Sequence, residues 1–440
     1  MKPSNFISAC ENNENINLTH FIISSDKNVL YEYCKLPYGM ESPRLFFSMT
    51  KSITSLAIGI AADQGLIHLD DYVVDFFHDK LPGAPHENVF KIKVRHLLIM
   101  ASGIDHNTYP ELVLQSDWVK AFLAQDFPIE PGKQYLYSTH ATHMLSAIIT
   151  RVSGMSLEDF LNENLFYPMG ITEAEWELSP EGLTAGGMGL SLTPNSIIKI
   201  AQLLLNNGVY NGRQLISQKY LSEATSTKIN KPSTGNTEYE DTRYGYQFHI
   251  AKDNYYYLDG AFGQVILICP HKQLAFIAFS QKSKTNNLLG EIYKHFIYDE
   301  LVQEPFFQPK YTHKTFAYIH LPDNTFRVEK NPLNVSTVRF TENRVIFTDE
   351  NARENQLNYN FRTLSKGRAS FIKDLQEHNQ SYVTEVIEMS KDKLCLKVYW
   401  IETPYVTIYE FDFFDYGFIF RFDINVSFTL SRFEIKGEKL

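Results

Sequence analysis

The chain has 440 residues, of which 44% are hydrophobic, and a formal net charge of −10 at pH 7. This length allows two or three domains, each with a sizeable core. The acidic balance argues against a nucleic-acid partner, because no basic surface is available to displace the counterions of phosphates. No apolar run reaches the length of a membrane span, and the polar N-terminus has no apolar signal core. We therefore expect a cytoplasmic protein without a membrane-spanning segment.

The first informative segment is Ser48-Met49-Thr50-Lys51, where a helix is predicted to begin. Residues i and i+3 share a helix face, so the hydroxyl and the amine point into the same volume. A desolvated lysine, or one beside other cations, can lose its proton near neutral pH and activate a serine hydroxyl as a nucleophile. The alternative is a solvated first helical turn without a catalytic role.

The residues that follow Lys51 favour the catalytic alternative. They form an apolar stripe at helical spacing, and Gly65 follows at the expected C-terminal cap. The stripe consists of Ile53, Leu56, Ala57, Ile60 and Ala61. This pattern predicts a buried helix that carries Lys51 inward.

A second segment places a tyrosine just ahead of another predicted helix. The turn Pro131-Gly132 leads to Tyr137-Ser138-Thr139, and an apolar helix from Met144 to Val152 then ends at Gly154. A lysine ammonium beside Tyr137 would favour its phenolate, so this residue is a candidate to move protons between Ser48 and a leaving group. The alternative is a tyrosine that only packs.

Metal-ligand patterns are weak in this chain. His140 and His143 are spaced as zinc ligands on a helix can be, but no nearby carboxylate or cysteine completes the site. The cysteines are scattered and show no Cys-x-x-Cys pair: Cys10, Cys34, Cys269 and Cys395. We therefore expect free buried thiols, no metal site and no cofactor, with the two histidines flanking the cleft or packing.

A third segment, Leu258-Asp259-Gly260-Ala261-Phe262-Gly263-Gln264, has glycines where a strand begins. Glycine at such a position allows close approach to the backbone, and the N–H groups of a strand edge can bind an oxyanion. Around this segment, helical patterns at 157–165 and 197–205 alternate with strand patterns at 265–269 and 274–279. This alternation predicts a mixed domain of helices and strands up to about residue 300.

The composition changes after a segment with two prolines, Pro305 and Pro309, which we interpret as a linker. Short β-branched and aromatic runs follow, at 344–347, 394–400, 405–411 and 418–422. They predict a small antiparallel barrel or sandwich. We therefore divide the chain into a domain of residues 1–304 and a C-terminal β-rich domain of residues 305–440.

Taken in order, Ser48/Lys51, Tyr137 and 258–264 resemble the serine β-lactamase and penicillin-binding-protein superfamily, specifically its esterase-like branch of serine hydrolases. Segments 94–98, 101–104, 166–171 and 186–193 extend the resemblance over about residues 20 to 300. It implies a β-lactamase-like transpeptidase fold of the α/β (α+β) type, with an antiparallel sheet flanked by helices. The C-terminal part resembles, more loosely, the lipocalin-like β domains appended to some of these hydrolases.

The resemblance implies roles for individual residues. Ser48 is similar to the acylated nucleophile, Lys51 to its activating partner and Tyr137 to the general base and acid. The N–H groups of Ser48 and of a residue near Ala261 would form the oxyanion hole. Positions implied to bind substrate are Thr139, Asp259, Gly260 and Ala261.

Two positions depart from the family pattern. Leu258 stands where many members have a cation, and Thr139 replaces the amide of the usual Tyr-x-Asn motif. Both departures weaken recognition of a β-lactam or peptide carboxylate. We expect an acyl-enzyme on Ser48 and a small ester or amide substrate, with short-chain esters preferred over D-amino-acid peptides and β-lactams. The alternative is a catalytically inactive binding or sensor module with the same fold.

Overall fold

The computed structural model describes residues 2–233, 235, 238–282, 285–306, 313–317, 319, 321 and 324–440. The chain divides into two compact units. The first comprises Met1–Tyr33, Leu45–Ser280 and Lys284–Phe307, and the second comprises Cys34–Arg44, Gln281–Ser283 and Gln308–Leu440. The predicted linker at 304–310 lies partly outside the described residues. In the described part of the chain, no helix combines the length and apolarity needed to cross a lipid bilayer.

The helices and strands alternate through the first unit, and the second unit is built from strands. The helices are α1 Pro3–Glu11, α2 Thr50–Asp63, α3 Val94–Leu98, α4 Tyr109–Leu112, α5 Trp118–Leu123, α6 Thr139–Ser153, α7 Leu157–Leu161, α8 Pro194–Leu205, α9 Gln218–Ala224 and α10 Thr285–Ile292. The strands up to residue 280 are β1 Leu18–Ser25, β2 Val29–Cys34, β3 Arg44–Leu45, β4 Glu175–Trp176, β5 Leu190–Leu192, β6 Val209–Tyr210, β7 Arg213–Gln214, β8 Ile229–Asn230, β9 Arg243–Tyr244, β10 His249–Ile250, β11 Tyr256–Gly260, β12 Gln264–Cys269 and β13 Leu274–Ser280. The remaining strands are β14 Thr325–Val328, β15 Val335–Phe340, β16 Arg344–Asp349, β17 Glu354–Asn358, β18 Ser365–Ile372, β19 Glu377–Ser390, β20 Lys393–Trp400, β21 Val406–Phe414, β22 Gly417–Ile424 and β23 Phe433–Lys439.

The main sheet of the first unit has, among the described residues, eight strands in the order β2-β1-β13-β12-β11-β10-β9-β8. Its central strands are antiparallel. Ala278 of the middle strand β13 lies opposite Phe21 of β1 on one side and opposite Val265 of β12 on the other. Alternate side chains of a strand point to opposite faces. One face packs on α1 and α10, and α8 packs against β1, β12 and β13. The predicted antiparallel sheet flanked by helices is confirmed.

Helix α2 is buried along nearly its whole length, from Thr50 to Ala61. A helix that is apolar or small on all sides belongs in the interior of a domain, so the predicted burial is confirmed. Gly65, just beyond its end, has a φ of +73°, and Gly154 caps α6 with a φ of +72°. Both are the left-handed positions that glycine occupies without a Cβ clash.

The second unit contains a ten-stranded antiparallel sheet, counted over the described residues, in which β14 pairs with β23. This long-range pairing curls the sheet into a nearly closed barrel, so the barrel alternative of the prediction is confirmed. Stacked and edge-on aromatic rings fill it; for example, the Phe411 and Phe420 centroids are 4.8 Å apart. In the same unit, Arg44 is buried and donates hydrogen bonds to the carbonyl oxygens of Ile401 and Thr403.

Candidate active site

Ser48 lies in a tight turn, Phe47–Met49, immediately before α2 begins at Thr50. The residue before it, Phe47, has a φ of +49°, which costs a non-glycine residue about 1–2 kcal/mol. The Phe47 ring is buried and packs edge-on against Phe262, with the centroids 5.2 Å apart. This contact holds the turn that presents the Ser48 hydroxyl, which is half-buried.

The Lys51 amine lies next to that hydroxyl. Its Nζ is 3.1 Å from Ser48 Oγ and 2.7 Å from the carbonyl oxygen of Gly187, and the residue is only 2% exposed. The same Nζ lies 4.8 Å from the ring centroid of Tyr137. The first turn of α2 therefore brings the amine inward, and the glycine-rich segment 186–189 orients it.

Tyr137 lines the same pocket as Ser48. Desolvation raises the pKa of Tyr137 well above its usual range, and the Asp259 carboxylate raises it further, although the nearby Ser48 hydroxyl opposes this shift. The expectation of a phenolate favoured by Lys51 is therefore wrong. Lys51 lies over the face of the ring, and burial and the carboxylate keep the phenol protonated near neutral pH.

Residues 258–264, at the end of β11 and the start of β12, form the side of the site that belongs to the sheet. Gly260 ends β11, and the tight loop through Ala261 leads to Gln264 in β12, the partner of Gly260. A Cβ on Gly260 would lie 2.1 Å from the carbonyl oxygen of Phe46. Only glycine lets the strand approach the turn of Ser48 this closely.

A small pocket opens between these elements. Its lining consists of Ser48, Lys51, Ser52, Tyr137, Tyr244, Gln247, His249 and Asp259. Thr139 is absent from this lining: it begins α6, where Ser138 caps the helix by accepting the N–H of Ala141. Leu258 is buried in the core, so the position of the missing cation holds a packing residue.

Sequence reasoning missed the polar residues behind the pocket. Gln247 donates to the carbonyl oxygens of Leu97 and Leu98, and accepts a hydrogen bond from Thr142. Its φ is +64°, which is unusual for glutamine. The glycine-rich cluster Gly186-Gly187-Met188-Gly189 could have indicated the carbonyl oxygen that accepts a hydrogen bond from Lys51. The Gln247 contacts could not be predicted in this way, because they join segments far apart in the chain.

An ion-pair chain runs behind Asp259. His249 Nε2 is 3.2 Å from Asp259 Oδ1, and His249 Nδ1 is 3.5 Å from Asp241 Oδ1. Lys231 Nζ lies 2.5 Å from the same oxygen of Asp241. Burial lowers the pKa of His249, but the carboxylates of Asp259 and Asp241 outweigh burial and raise it above its usual value.

The pKa of Asp241 is shifted in the opposite direction. Burial favours its neutral form, but the facing His249 imidazole, followed by the charge of Lys231, lowers the pKa of Asp241 to about 2. Asp241 is therefore ionised at neutral pH in a nearly dry site.

The two histidines of α6 pack in the interior. His143 Nε2 is 3.0 Å from Glu181 Oε1, and both histidines meet the Trp118 ring edge-on. Burial, followed by the charges of His143 and Lys51, lowers the pKa of His140 to about 3, so it is neutral. Among the described residues no group of three or more His, Cys, Asp or Glu side chains is placed to hold a metal ion.

Comparison with known proteins places this geometry in a family. The Beta-lactamase family model matches residues 20–296. A penicillin-binding protein from Bacillus subtilis is 29% identical over 147 residues, covering 30% of this chain and 31% of that protein. Monacolin J acid methylbutanoyltransferase from Aspergillus terreus is 26% identical over 165 residues, covering 32% of this chain and 40% of that protein. The chain thus spans well under half the length of these curated relatives.

The fold is also shared with solved structures. The octameric penicillin-binding protein homologue from Pyrococcus abyssi has a TM-score of 0.55 at 16% identity, and the match covers 98% of each chain. At this identity the likeness concerns the fold alone. The family model, by contrast, matches more than half of the sequence and includes the Ser48 turn, Tyr137 and the third motif. This chain belongs to the β-lactamase family.

Proposed function

We propose that the protein is a serine hydrolase that acylates Ser48 with a small ester or amide substrate and releases the acyl group to water. The observation that supports this most strongly is the surroundings of one oxygen. Ser48 Oγ lies 3.1 Å from a buried lysine amine, and the phenol of Tyr137, protonated at neutral pH, lines the same pocket. A nucleophile bonded to its base, with a second proton carrier beside it, is the arrangement that acyl transfer requires.

The first step uses Lys51 as a neutral amine. As an ammonium it donates to both Ser48 and Gly187; after losing a proton it can still donate to Gly187 while its lone pair accepts the Ser48 proton. Ser48 Oγ then attacks the carbonyl carbon, and the negative charge moves to the carbonyl oxygen. We expect the N–H groups of Ser48 and of a residue near Ala261 to stabilise that charge.

The second step expels the leaving group. The proton that Lys51 has taken passes to the leaving oxygen or nitrogen, with the Tyr137 phenol as the carrier that lies against Ser48. The phenol gives its proton to the leaving group and regains one from Lys51, so no phenolate accumulates. Water attacks the acyl-enzyme by the reverse route and restores the Ser48 hydroxyl.

Fluorophosphonate labelling tests this function. We expect the probe to modify Ser48, which a digest and mass spectrometry locates, and we expect turnover of para-nitrophenyl acetate. Ser48→Ala should lose both. Ser52→Ala is the matched control, because Ser52 lines the same pocket but donates its hydroxyl to the Gln247 carbonyl oxygen. A folded wild-type protein that is neither labelled nor active would instead support the inactive binding module.

The pocket groups set a preference among acyl compounds. Leu258 provides no cation, and Asp259 places a carboxylate in the lining, so a substrate carboxylate is repelled by Asp259 and finds no cation at position 258. We therefore expect nitrocefin to be hydrolysed with a kcat/KM at least about tenfold below that of short-chain para-nitrophenyl esters, or about 1.4 kcal/mol in transition-state binding. Initial rates under matched conditions measure this ratio. Equal or faster nitrocefin turnover would reverse the assignment.

A further inference from the structure

We propose that Asp259 is a recognition site for an ammonium group, so that the preferred ester or amide substrate is cationic. This inference rests on the proposed hydrolase function and specifies its substrate class. Asp259 lies on β11 beside Gly260, and its side chain is part of the pocket lining together with Ser48 and Lys51. A charged group on a bound substrate would therefore share the pocket with this carboxylate.

The exposure of the charged groups decides which charge a substrate meets. The Asp259 side chain is 31% exposed, whereas that of His249 is 14% exposed. Behind them, Lys231 and Asp241 are 5% and 2% exposed. The charges therefore alternate away from the pocket, and the carboxylate is the outermost member.

The imidazole of His249 is held in place from several sides. Its two nitrogens face the carboxylates of Asp259 and Asp241. The ring stacks on Tyr257 at 4.7 Å and meets Tyr244 edge-on at 4.9 Å. The carboxylates of Asp241 and Asp259 therefore balance any positive charge on the His249 ring. The ring is oriented to hold Asp259 rather than to bind a substrate carboxylate.

The net charge of this chain of groups also favours a cation. Lys231, Asp241 and Asp259 together contribute one positive and two negative charges, and His249 is either neutral or positive. The sum is therefore −1 or zero, never positive. Lys51 adds no repulsion in the reactive state, because the proposed mechanism requires its amine to be neutral.

The tyrosines of the lining leave the recognition to the carboxylate. The Tyr137 ring face is covered by the Lys51 amine, and Tyr244 is only 1% exposed. The charge of Asp259 acts on an alkylated ammonium, which cannot donate a hydrogen bond, as well as on a primary one.

Isosteric substrate pairs test the proposal with the full-length protein. The first pair places the charge in the acyl group: para-nitrophenyl γ-(trimethylammonio)butyrate against the ester in which carbon replaces nitrogen. The second places it in the leaving group: acetylcholine against its tert-butyl isostere. For at least one pair, we expect the kcat/KM of the charged member to be about tenfold higher at low ionic strength.

Substitution of Asp259 tests the origin of that ratio. Asp259→Asn should bring the charged-to-neutral ratio close to one. Asp253→Asn is the matched control: it removes the same charge from an exposed position with a φ of +60°, which asparagine tolerates, and should leave the ratio unchanged. Comparing ratios within each variant removes any general effect on catalysis.

The outcomes separate this proposal from the proposed function. Hydrolysis of the neutral isosteres without any charged preference in the wild type, or with a preference that survives in Asp259→Asn, overturns the ammonium site alone. An unlabelled Ser48 and inert neutral esters overturn the hydrolase instead. If Asp259→Asn does not fold, choline should still inhibit neutral-ester hydrolysis by the wild type about tenfold more strongly than its tert-butyl analogue, and equal inhibition overturns the site.

Discussion

Replacing Lys51 by arginine is expected to lower kcat/KM for ester hydrolysis by about 10³-fold or more, a transition-state cost of about 4 kcal/mol. Arginine keeps the positive charge but cannot give up its proton. In the proposed mechanism the amine must accept the Ser48 proton, so charge without basicity is insufficient. The site is only 2% exposed, so the larger guanidinium also has little room beside Ser48.

The measurement compares steady-state rates with circular dichroism and thermal unfolding of each variant. Lys199→Arg is the matched control, because Lys199 Nζ also donates to a glycine carbonyl oxygen, that of Gly170, but lies at an exposed site far in sequence from Ser48. It should keep wild-type activity. A folded Lys51→Arg protein with wild-type rates would show that Lys51 has a structural role and that another group activates Ser48.

The roles of Lys51 and Tyr137 differ because their surroundings differ. Desolvation and the Asp259 carboxylate raise the pKa of Tyr137, so the phenol is protonated at neutral pH and has no free base with which to take the first proton from Ser48. Lys51 has a carbonyl oxygen and a hydroxyl as hydrogen-bond partners, and both remain satisfied when the amine is neutral. The lysine is therefore the better first acceptor and the tyrosine the better carrier to the leaving group.

Local patterns predicted the parts of the site that depend on neighbouring residues. The three-residue spacing of Ser48 and Lys51 and the apolar stripe after them depend only on helix geometry. The structure adds a detail that the spacing does not contain: Ser48 lies in the turn before α2, not in the helix. The strands of the second unit followed in the same way from short aromatic and β-branched runs.

Contacts between distant segments were beyond such reasoning. The phenolate expected for Tyr137 was wrong because its pKa depends on desolvation and on Asp259, which lies more than 100 residues further along the chain. The ion-pair chain behind Asp259 is built by His249 of β10 and by Lys231 and Asp241 between β8 and β9, and no short motif connects them. Thr139 is only two residues from Tyr137 in sequence, yet it begins a helix and is outside the pocket lining.

Replacing Asp241 by asparagine is expected to lower the free energy of unfolding by about 3 kcal/mol. Removing one partner of a buried ion pair typically costs about 3–5 kcal/mol, because the other charge remains without compensation. Asparagine keeps the shape and one acceptor oxygen, which places the cost at the low end. The shift in the pKa of Asp241 from 3.8 to about 2 corresponds independently to about 2 kcal/mol.

Urea unfolding followed by circular dichroism measures this cost. Glu223→Gln is the matched control, because Glu223 forms an ion pair with Lys228 at the surface, and we expect it to cost less than about 1 kcal/mol. The double variant Asp241→Asn with Lys231→Met should be no less stable than Asp241→Asn alone, since the second change removes the unpaired charge. Costs that simply add would show that the two residues are not coupled.

The cost should also depend on pH, with a sign set by the two pKa shifts. Asp241 has a lowered pKa, so its contribution is present above about 3.8 and is lost as the pH falls towards 2. His249 has a raised pKa, so its contribution is complete below 6.5 and is lost as the pH rises through the folded-state value. The stability difference between wild type and Asp241→Asn should therefore be largest between about pH 5 and 6.5. It should decrease on the acid side because Asp241 itself is neutralised, and on the alkaline side because His249 loses its charge. A difference independent of pH would exclude the ion-pair chain as its origin.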